Sequence, residues 1–443
     1  MTAVDVNALQ RLFERAREQA EVAQRPVLTV YACPAPGLDP LHLYTCHRQG
    51  FFWSAQQPDL TLFGLGCEWQ TQVSGPQRMA QVQQQWTQLC GETRIEGSQP
   101  ALLFGGLRFD EQRAPSPHWD GFADASFHLA HWLVSEDIGG RWLRCQRCID
   151  AHSDPQALAH DSLAVLQALL DTPPVASPCP GVIERNALLA AQWQAKVESA
   201  LQAIDSGELN KVVLARHVEY QLDAPLDSAA VMRRLYDQRA RAHLFAVHRG
   251  AKCFMGATPE RLLACRDGHL LTHALAGSAL RGTSAAADEA LGAQLLADAK
   301  EQHEHHLVVQ AICEGLQGLV SDLQVAPCPT LLKLGAVQHL STSIQAHLYP
   351  GRSVLDGLEA LHPTPAVGGL PKPVPCTSSA VMKGLTAAGT PRQWVGWTTR
   401  ATGILWWPCA RPCSPHRAVI CLPDAASCKA PGRPTSTRKR RSN

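Results

Sequence analysis

The sequence predicts a mixed α/β (α+β) fold built around a large β-sheet, and three observations lead to that prediction. Short apolar or alternating runs, which are typical of strands, fill much of the first half of the chain. Longer stretches with apolar residues at spacings of three and four, typical of amphipathic helices, accompany them. Hydrophobic residues make up 45% and charged residues 18% of the 443 residues, an ordinary balance for a folded globular protein.

The N-terminal residues 1–24 predict an amphipathic helix, because acidic and basic side chains alternate with apolar ones. Such a mixture does not fit a signal peptide. No run approaches the roughly 18 consecutive apolar residues that a membrane-spanning helix needs. We therefore expect a cytoplasmic protein without a membrane partner. The first-half strands are predicted at residues 26–32, 50–54, 61–64, 101–104 and 126–134.

Two helices follow these strands, at residues 154–170 and 187–206. In the second helix Trp193, Val197 and Leu201 recur at the spacing of a buried face. The prolines at 178 and 180 lie between the two helices and mark a boundary. We expect a variable N-terminal part over residues 1–180 and a chemically richer part over residues 181–371.

The second part again mixes strands with helices, which implies an α/β or α+β domain. Strands are predicted at residues 211–214, 243–248, 252–255 and 337–346, and helices at residues 289–296 and 304–319.

Several common functional classes are excluded by their motifs. The chain has no P-loop, and Gly64 and Gly66 lack the third glycine of a dinucleotide fingerprint. A zinc-protease motif fails because residue 307 is Leu307 instead of histidine. The cysteines are scattered singly up to residue 371 apart from Cys145 and Cys148, so neither a disulfide framework nor a structural zinc site is indicated.

Two segments of the second part place a titratable residue against apolar ones. Lys211 opens the strand Lys-Val-Val-Leu, and burial of its ammonium would lower the pKa of that group toward a value useful for a base. The alternative is a lysine at the solvated end of the strand. Glu260 follows Pro259 and enters an apolar run, where it fits a protonated general acid. The alternative is a carboxylate that caps a helix beginning at Pro259.

Two further segments fit ligand binding. In Ala276-Gly-Ser-Ala-Leu-Arg-Gly282 the glycines allow a close backbone approach, and Arg281 can bind a carboxylate with two hydrogen bonds. A plain turn with a solvated arginine is the alternative. In Lys300-Glu-Gln-His-Glu-His-His306 the carboxylate of Glu304 is a suitable oxygen ligand for magnesium. The alternative is a charged helix face turned toward solvent.

Taken together and in this order, the four segments resemble the motif set of the chorismate-utilising enzymes. The matching strings are KVVLAR, GATPE-LL, LAGSA-R, K(D/E)--EH--V and LHPTPAVGG-P, the last at residues 361–371. Similarity extends more loosely back to about Gly50. The resemblance implies the fold of that family, large β-sheets sandwiched together with helices on the outside.

The resemblance also implies roles for individual residues. Lys211 is the base that activates water to attack the chorismate ring, and Glu260 is the acid that protonates the departing hydroxyl. Glu304 is a ligand of Mg²⁺, which also contacts the ring carboxylate of the substrate. The residues that the resemblance implies for substrate binding are Ala276, Gly277, Ser278, Arg281 and His362. For His362, a buried structural histidine is an equally good interpretation.

Lys211 also separates the branches of the family. The ammonia-using members, the anthranilate and aminodeoxychorismate synthases, generally carry glutamine at this position, whereas the water-using branch carries lysine. The resemblance therefore implies an isomerase with isochorismate synthase activity, for menaquinone, siderophore or salicylate biosynthesis. It implies chorismate as the small-molecule partner, no nucleic acid and no obligatory glutamine amidotransferase subunit. Salicylate synthase and a catalytically dead chorismate-binding protein are the alternatives.

Residues 372–443 differ in composition from the rest of the chain. They hold twelve Lys and Arg but only one acidic residue, Asp424, which leaves 28 of the 40 basic and 38 of the 39 acidic residues before them. They also lack the motifs with which the family continues. Codons for the family motif G-F-D-R-G-W-Y-A, read one base out of register, encode residues 384–391 of this chain. The same shift restores three later family motifs in their correct order.

We therefore expect residues 372–443 to be an out-of-frame, disordered tail. A nucleic-acid-binding tail is the other interpretation of its basic charge, but its five cysteines and four tryptophans are unusual for such tails. In the family the lost segment carries a second glutamate ligand and an arginine for the pyruvyl carboxylate. The expected consequence is an impaired and less stable chain.

Overall fold

The computed structural model describes residues 4–56, 59–91, 93–109, 119–174, 180–214, 218–238, 242–258 and 260–370. It also describes the backbone of five strands between residues 392 and 428. Within these ranges no helix has the length and apolarity needed to cross a membrane. The cysteines of residues 4–370 that are described carry free thiols.

The helices begin at side chains that suit their N-termini. Asp5, Asp39 and Asp154 each accept hydrogen bonds from backbone amides of the first turn, which satisfies donors that the helix itself leaves unpaired. The helices are α1 Val6–Ala23, α2 Pro40–His47, α3 Arg78–Cys90, α4 Pro155–Asp171, α5 Ala190–Asp205, α6 Ser228–Gln238, α7 Ala285–Ala297, α8 Ala299–Leu316 and α9 Val354–Leu361.

The strands fall into two groups along the chain, one before α4 and one after it. The first group is β1 Val27–Pro34, β2 Phe51–Gln56, β3 Asp59–Leu65, β4 Trp69–Val73, β5 Arg94–Glu96, β6 Leu102–Arg108, β7 Ala125–Leu129, β8 Trp132–Asp137 and β9 Gly140–Ile149. The second group up to residue 370 is β10 Val182–Ala187, β11 Lys211–Leu214, β12 Val218–Leu222, β13 His243–Arg249, β14 Lys252–Thr258, β15 Arg261–Arg266, β16 His269–Leu280, β17 Val320–Val325, β18 Thr330–Lys333, β19 Val337–Leu348 and β20 Gly369–Leu370. The remaining strands are β21 Arg392–Thr398, β22 Gly403–Trp406, β23 Pro412–Cys413, β24 Ala418–Cys421 and β25 Ala426–Cys428.

Two large sheets organise these strands. The first has nine strands in the order β23-β14-β13-β2-β3-β8-β9-β1-β5. The second follows the path β17-β19-β16-β15-β22-β21-β6-β7-β4, with β18 paired to β19. Two three-stranded sheets complete the fold, β10-β12-β24 and β20-β11-β25. Strands from before and after residue 180 share each large sheet.

The two large sheets pack face to face through an aromatic layer. Phe51 of β2 and Phe104 of β6 stack with ring centroids 3.9 Å apart and an interplanar angle of 2°. Phe245 and Phe254 lie in the same buried cluster. Large aromatic side chains supply much apolar area from a few positions, which suits a layer between two sheets.

Helices cover the outer faces. Leu9, Leu12 and Phe13 of α1 are buried in a cluster with strands of the nine-stranded sheet. Val308 and Ile312 of α8 are buried in another cluster with strands of the second large sheet. The expected fold class, large sheets sandwiched together with helices outside, is confirmed.

The predicted strand at residues 126–134 is wrong in one respect, because it is two strands in different sheets. β7 ends at Leu129 and pairs with β6, whereas β8 begins at Trp132 and pairs with β3. The chain crosses between the sheets at Ala130 and His131, where Gln146 hydrogen-bonds both carbonyls. The apolar run is continuous because both strands are buried, so the sequence shows no break.

Three predicted helices have different starts. The helix predicted at residues 289–296 begins at Ala285, where Ser284 caps it. The helix predicted at residues 187–206 begins at Ala190, because Val182–Ala187 form β10. The helix predicted at residues 304–319 begins at Ala299, where Asp298 caps it. The cap moves the start by more than a turn and places Glu301 on the helix.

The division at residue 180 and the disordered tail stay predictions. Most of residues 372–443, like 175–179 near the boundary, lie outside the described residues. The described segments of the tail are strands: β21 pairs with β6, β22 with β15 and β25 with β11.

Candidate active site

Helix α8 presents Glu304 toward the sheets. Asp298 accepts hydrogen bonds from the amides of Lys300 and Glu301 at 2.9 and 3.0 Å and so fixes the first turn. Glu304 lies four residues before Val308, which packs in the core. Residues four apart share a helix face, so packing of the apolar residue holds Glu304 against the sheet.

Lys211 and Glu304 form a buried ion pair. The Nζ atom of Lys211 lies 3.1 Å from Oε1 of Glu304, and the two side chains are 3% and 8% exposed. The interpretation of Lys211 as a solvated lysine is therefore wrong, as is that of Glu304 on a solvated helix face. Val212 and Leu214 of the same strand are buried against α5, which anchors β11.

Burial lowers the pKa of Lys211 to about 8, while the carboxylates of Glu260 and Glu301 act in the opposite direction. An ammonium with such a pKa is deprotonated far more readily than an ordinary lysine. Lys211 can therefore serve as a base near neutral pH.

Glu260 has the complementary property. It lies in the connection between β14 and β15, where its amide donates a hydrogen bond to Thr258 Oγ1 at 3.3 Å. Burial raises the pKa of Glu260 to about 7, and the positive charge of Lys211 acts against this rise. No helix begins here, since Arg261–Arg266 is strand β15, so the helix-cap interpretation of Glu260 is wrong.

Glu301 is a site residue that the sequence interpretation missed. It lies three residues before Glu304 on the same face of α8, and its charge acts on Lys211. The signal was present, because the motif K(D/E)--EH--V carries a second acidic residue at this position.

The donor set fits magnesium. Within residues 4–370 as described, no group of three or more His, Cys, Asp or Glu side chains forms a metal cage. Mg²⁺ does not need one, since it is usually held by one or two carboxylates with water and substrate oxygens. Glu301 and Glu304 supply two such carboxylates beside Lys211.

A β-bulge forms the floor beside these carboxylates. Ala276 pairs with Leu340 and Ser278 with His339, so Gly277 is an extra residue on β16. Its φ of +78° is a left-handed conformation that favours glycine. A Cβ atom at Gly277 would lie 3.3 Å from Oε2 of Glu301. The segment is therefore a bulged strand, not a plain turn.

His305 ties α8 to this bulge. Its Nδ1 lies 3.2 Å from the carbonyl oxygen of Ala276, and its Nε2 lies 2.6 Å from Oγ1 of Thr342. The residue is 3% exposed, and burial lowers the pKa of its imidazole. From the sequence, His305 was recognisable only as part of the motif at residues 300–306.

Arg281 is engaged within the protein. Its Nε and Nη2 atoms donate to the two carboxylate oxygens of Asp288 at 2.6 and 2.9 Å, and its Nη1 donates to the carbonyl of Leu334 at 2.5 Å. This two-pronged contact is the one expected with a ligand carboxylate. Asp288, which also accepts from Lys333 at 2.8 Å, takes that place here.

His362 lies at the C-terminus of α9. Its Nε2 donates to the carbonyl of Phe109 at 2.7 Å, and the two rings meet edge to face with centroids 5.1 Å apart. These contacts fit the structural interpretation of His362. Its role in binding substrate stays a prediction.

The structure brings together Lys211, Glu260 and Glu304, with the bulge at Gly277 beside Glu301. Ser278 is exposed, with its hydroxyl 2.8 Å from Nδ1 of His339. The catalytic, metal and substrate roles themselves stay predictions.

Comparison with known proteins identifies relatives along most of the chain. The salicylate biosynthesis isochorismate synthase of Pseudomonas aeruginosa is 40% identical over 374 residues, which cover 83% of this chain and 78% of the relative. The isochorismate synthase MenF of Bacillus subtilis is 31% identical over 389 residues, or 83% of this chain and 82% of the relative.

Solved structures show the same fold. The menaquinone-specific isochorismate synthase MenF from Escherichia coli superimposes with a TM-score of 0.73 at 24% identity, covering 94% of this chain and 93% of that one. Anthranilate synthase component I from Streptococcus pneumoniae gives a TM-score of 0.62 at 17% identity, covering 83% and 87%. Residues 13–379 match the family described as chorismate binding enzyme. With the match spanning most of its length, the chain belongs to the chorismate-binding enzyme family.

Proposed function

We propose that this chain is built as an isochorismate synthase, an isomerase that converts chorismate to isochorismate. The observation that supports this most is the pairing of Lys211, with a pKa of about 8, and Glu260, with a pKa of about 7, in one site. A base and an acid with pKa values near neutrality suit a reaction that takes one proton and gives another. The 40% identical relative carries the name of this activity.

In the proposed reaction Lys211 takes a proton from a water molecule, whose oxygen forms a bond to one carbon of the ring. The ring double bonds shift, and the hydroxyl on another ring carbon leaves as water with a proton from Glu260. One water is consumed and one is released, so the product is an isomer of the substrate. The proton then returns from Lys211 to Glu260 through solvent. Because the pKa values of Lys211 and Glu260, about 8 and about 7, lie close together, this proton return requires little free energy.

The proposed cofactor is Mg²⁺, which Glu301 and Glu304 would hold. A bound cation supplies positive charge that neutralises a carboxylate of the substrate. Replacing either ligand with glutamine should weaken magnesium binding at least tenfold by calorimetry. Glu314→Gln, on an exposed position of the same helix, is the matched control and should leave the affinity unchanged. Equal magnesium affinity in all three variants would contradict the assignment.

The proposal includes an impaired C-terminus. Residues after about 372 are read in the wrong frame, and the family match ends at residue 379, close to that point. We call the protein whose codons are read in the other frame after this point the frame-restored chain. Resequencing the gene across the codons for residues 369–384 tests the proposal. An uninterrupted frame, with no insertion or deletion relative to close relatives, would contradict it.

The activity assay compares the two proteins with chorismate and Mg²⁺ and separates products by chromatography. We expect isochorismate from the frame-restored chain and little or none from the chain as printed. Salicylate with pyruvate as the main products would favour salicylate synthase instead. Binding of chorismate without turnover in both proteins would favour a chorismate-binding protein that is not an enzyme.

A further inference from the structure

His305 of α8 forms hydrogen bonds to both β16 and β19. Nδ1 faces the carbonyl of Ala276 on β16, and Nε2 faces the hydroxyl of Thr342 on β19. A carbonyl oxygen can only accept, so the hydrogen of the neutral ring lies on Nδ1. Nε2 then accepts the hydroxyl hydrogen of Thr342, and both ring nitrogens are satisfied inside the core.

The first of these bonds fixes the bulge. Ala276 is the residue immediately before Gly277, the extra residue of the strand. A bulge leaves its extra residue outside the regular ladder, so its peptide planes need another restraint. The bond from His305 to the Ala276 carbonyl provides one, because that carbonyl belongs to the same peptide plane as the Gly277 amide.

The second consequence concerns the acidic residues of α8. His305 directly follows Glu304, which lies 3.1 Å from Lys211. Glu301 lies one turn earlier, with Oε2 3.3 Å from the position a Gly277 Cβ would take. The His305 contact therefore links the turns of α8 that carry both carboxylates directly to the backbone of the bulge.

We propose that His305 is a positioning residue whose Nδ1 contact with Ala276 holds the bulge at Gly277 in register with Glu301 and Glu304. This inference rests on the proposed function, since the bulge backbone is assigned to the substrate and the two glutamates to the cation. His305 does not touch the reacting atoms. It sets the spacing between the part of the site that binds the substrate and the part that binds the metal.

The two contacts can be separated by substitution. The side-chain amide of asparagine reaches about as far as Nδ1, so His305→Asn keeps a donor for Ala276 and loses the contact with Thr342. Glutamine reaches as far as Nε2, so His305→Gln keeps a partner for Thr342 and loses the donor for Ala276. Thr342→Val removes the hydroxyl and leaves the Nδ1 contact in place.

The first measurement needs no ligand. Hydrogen exchange of the peptide spanning residues 273–281 should be at least tenfold faster in His305→Gln than in the unaltered chain. In His305→Asn and Thr342→Val the exchange rate of this peptide should stay within threefold of its rate in the unaltered chain. The second measurement is the Kd of chorismate in the presence of Mg²⁺, determined by calorimetry. We expect the Kd to rise more in His305→Gln than in His305→Asn and Thr342→Val. Each variant loses one buried hydrogen bond, so their melting temperatures should fall by similar amounts.

A purely structural role predicts a different pattern, in which exchange and affinity follow the melting temperature in all three variants. That pattern, or equal behaviour of His305→Asn and His305→Gln, would overturn the proposal. His305→Ala, compared with His305→Asn, repeats the test if the glutamine variant does not fold. Absence of chorismate binding in the unaltered and the frame-restored chain would overturn the proposed function, whereas the exchange experiment judges the role of His305 independently.

Discussion

Lys211 and Glu304 form an ion pair 3.1 Å long with both side chains almost completely buried. Neither charge can be removed alone without leaving the other in a poorly solvated environment. Lys211 is the proposed base and Glu304 is a proposed metal ligand. Substitutions in this pair should therefore change stability, metal binding and turnover together.

Replacement of Lys211 with methionine tests that connection. The variant leaves Glu304 uncompensated, and removal of one partner of a buried pair costs about 3–5 kcal/mol of stability. Mg²⁺ supplies a new positive charge to Glu304, so added magnesium should raise the melting temperature of Lys211→Met more than that of the unaltered chain. In the frame-restored chain, turnover should fall by about 10²–10⁴-fold because the base is missing.

Lys252→Met is the matched control for that experiment, since Lys252 lies at the far end of β14 and pairs loosely with the exposed Asp120 at 3.7 Å. It should change neither turnover nor the response to magnesium. If Lys211→Met were as active as this control, the assignment of Lys211 as the base would be wrong.

The pH dependence of kcat/KM in the frame-restored chain should be bell-shaped. Lys211 must be neutral and Glu260 protonated, so the rate rises with pH up to about 7 and falls above about 8. Protonated Lys211 limits the rate on the acid side, and ionised Glu260 limits it on the alkaline side. Because the pKa of Lys211 lies above that of Glu260, the productive pair is less populated than the pair with both groups charged.

Glu260→Gln provides the internal control for this profile. The amide cannot ionise, so the slower variant should keep the acid limb and lose the alkaline limb. If the rate of Glu260→Gln still fell at alkaline pH, the ionisation of a group other than Glu260 would cause that fall.

The site shows what the sequence could and could not predict. Lys211 and Glu260 were identifiable as charged residues placed against apolar ones, and Glu304 as an oxygen ligand in a polar segment. The order of the motifs related the three. That Lys211 pairs with Glu304 was not predictable, since β11 and α8 are almost ninety residues apart and only the tertiary structure joins them. The engagement of Arg281 with Asp288 was equally hidden, because α7 folds back on the end of β16.

The strands were predictable where apolar runs end at turn residues, as in β1, β2 and β11. The prediction was incomplete where burial on two different sheets erased the polar break, as between Leu129 and Trp132. The bulge at Gly277 was read as a possible turn because a local glycine does not reveal whether the flanking residues remain paired.

Gly277→Ala should weaken chorismate binding at least tenfold. The alanine methyl would be strained at a φ of +78° and would lie 3.1 Å from Leu340 Cδ1 and 3.3 Å from Glu301 Oε2. Calorimetry with chorismate and Mg²⁺ measures the effect.

Gly268→Ala separates strain from contact. Gly268 has a φ of +81°, and no atom would lie within 4 Å of its added Cβ. This variant should lose about 1 kcal/mol of stability from backbone strain alone and keep the affinity for chorismate. Equal affinity losses in the two variants would show that the bulge has no specific role in binding.

The frame-restored chain should melt at a higher temperature than the chain as printed. Strands β21 and β22 lie between β6 and β15 in the second large sheet, so the residues of this segment determine how well that sheet is completed. Poorly matched strands leave apolar surface and hydrogen-bonding edges exposed. Thermal unfolding and light scattering of both proteins measure the difference. A frame-restored chain of equal or lower stability would show that the printed tail already suits the sheet.

The central claim is that Lys211, Glu260 and Glu304 form a site for moving a hydroxyl group on the chorismate ring. The most direct test is product analysis of the frame-restored chain incubated with chorismate and Mg²⁺, alongside its Lys211→Met variant. We predict isochorismate from the first protein and at least a hundredfold less from the second. Chorismate that is bound but returned unchanged by the frame-restored chain would contradict the claim.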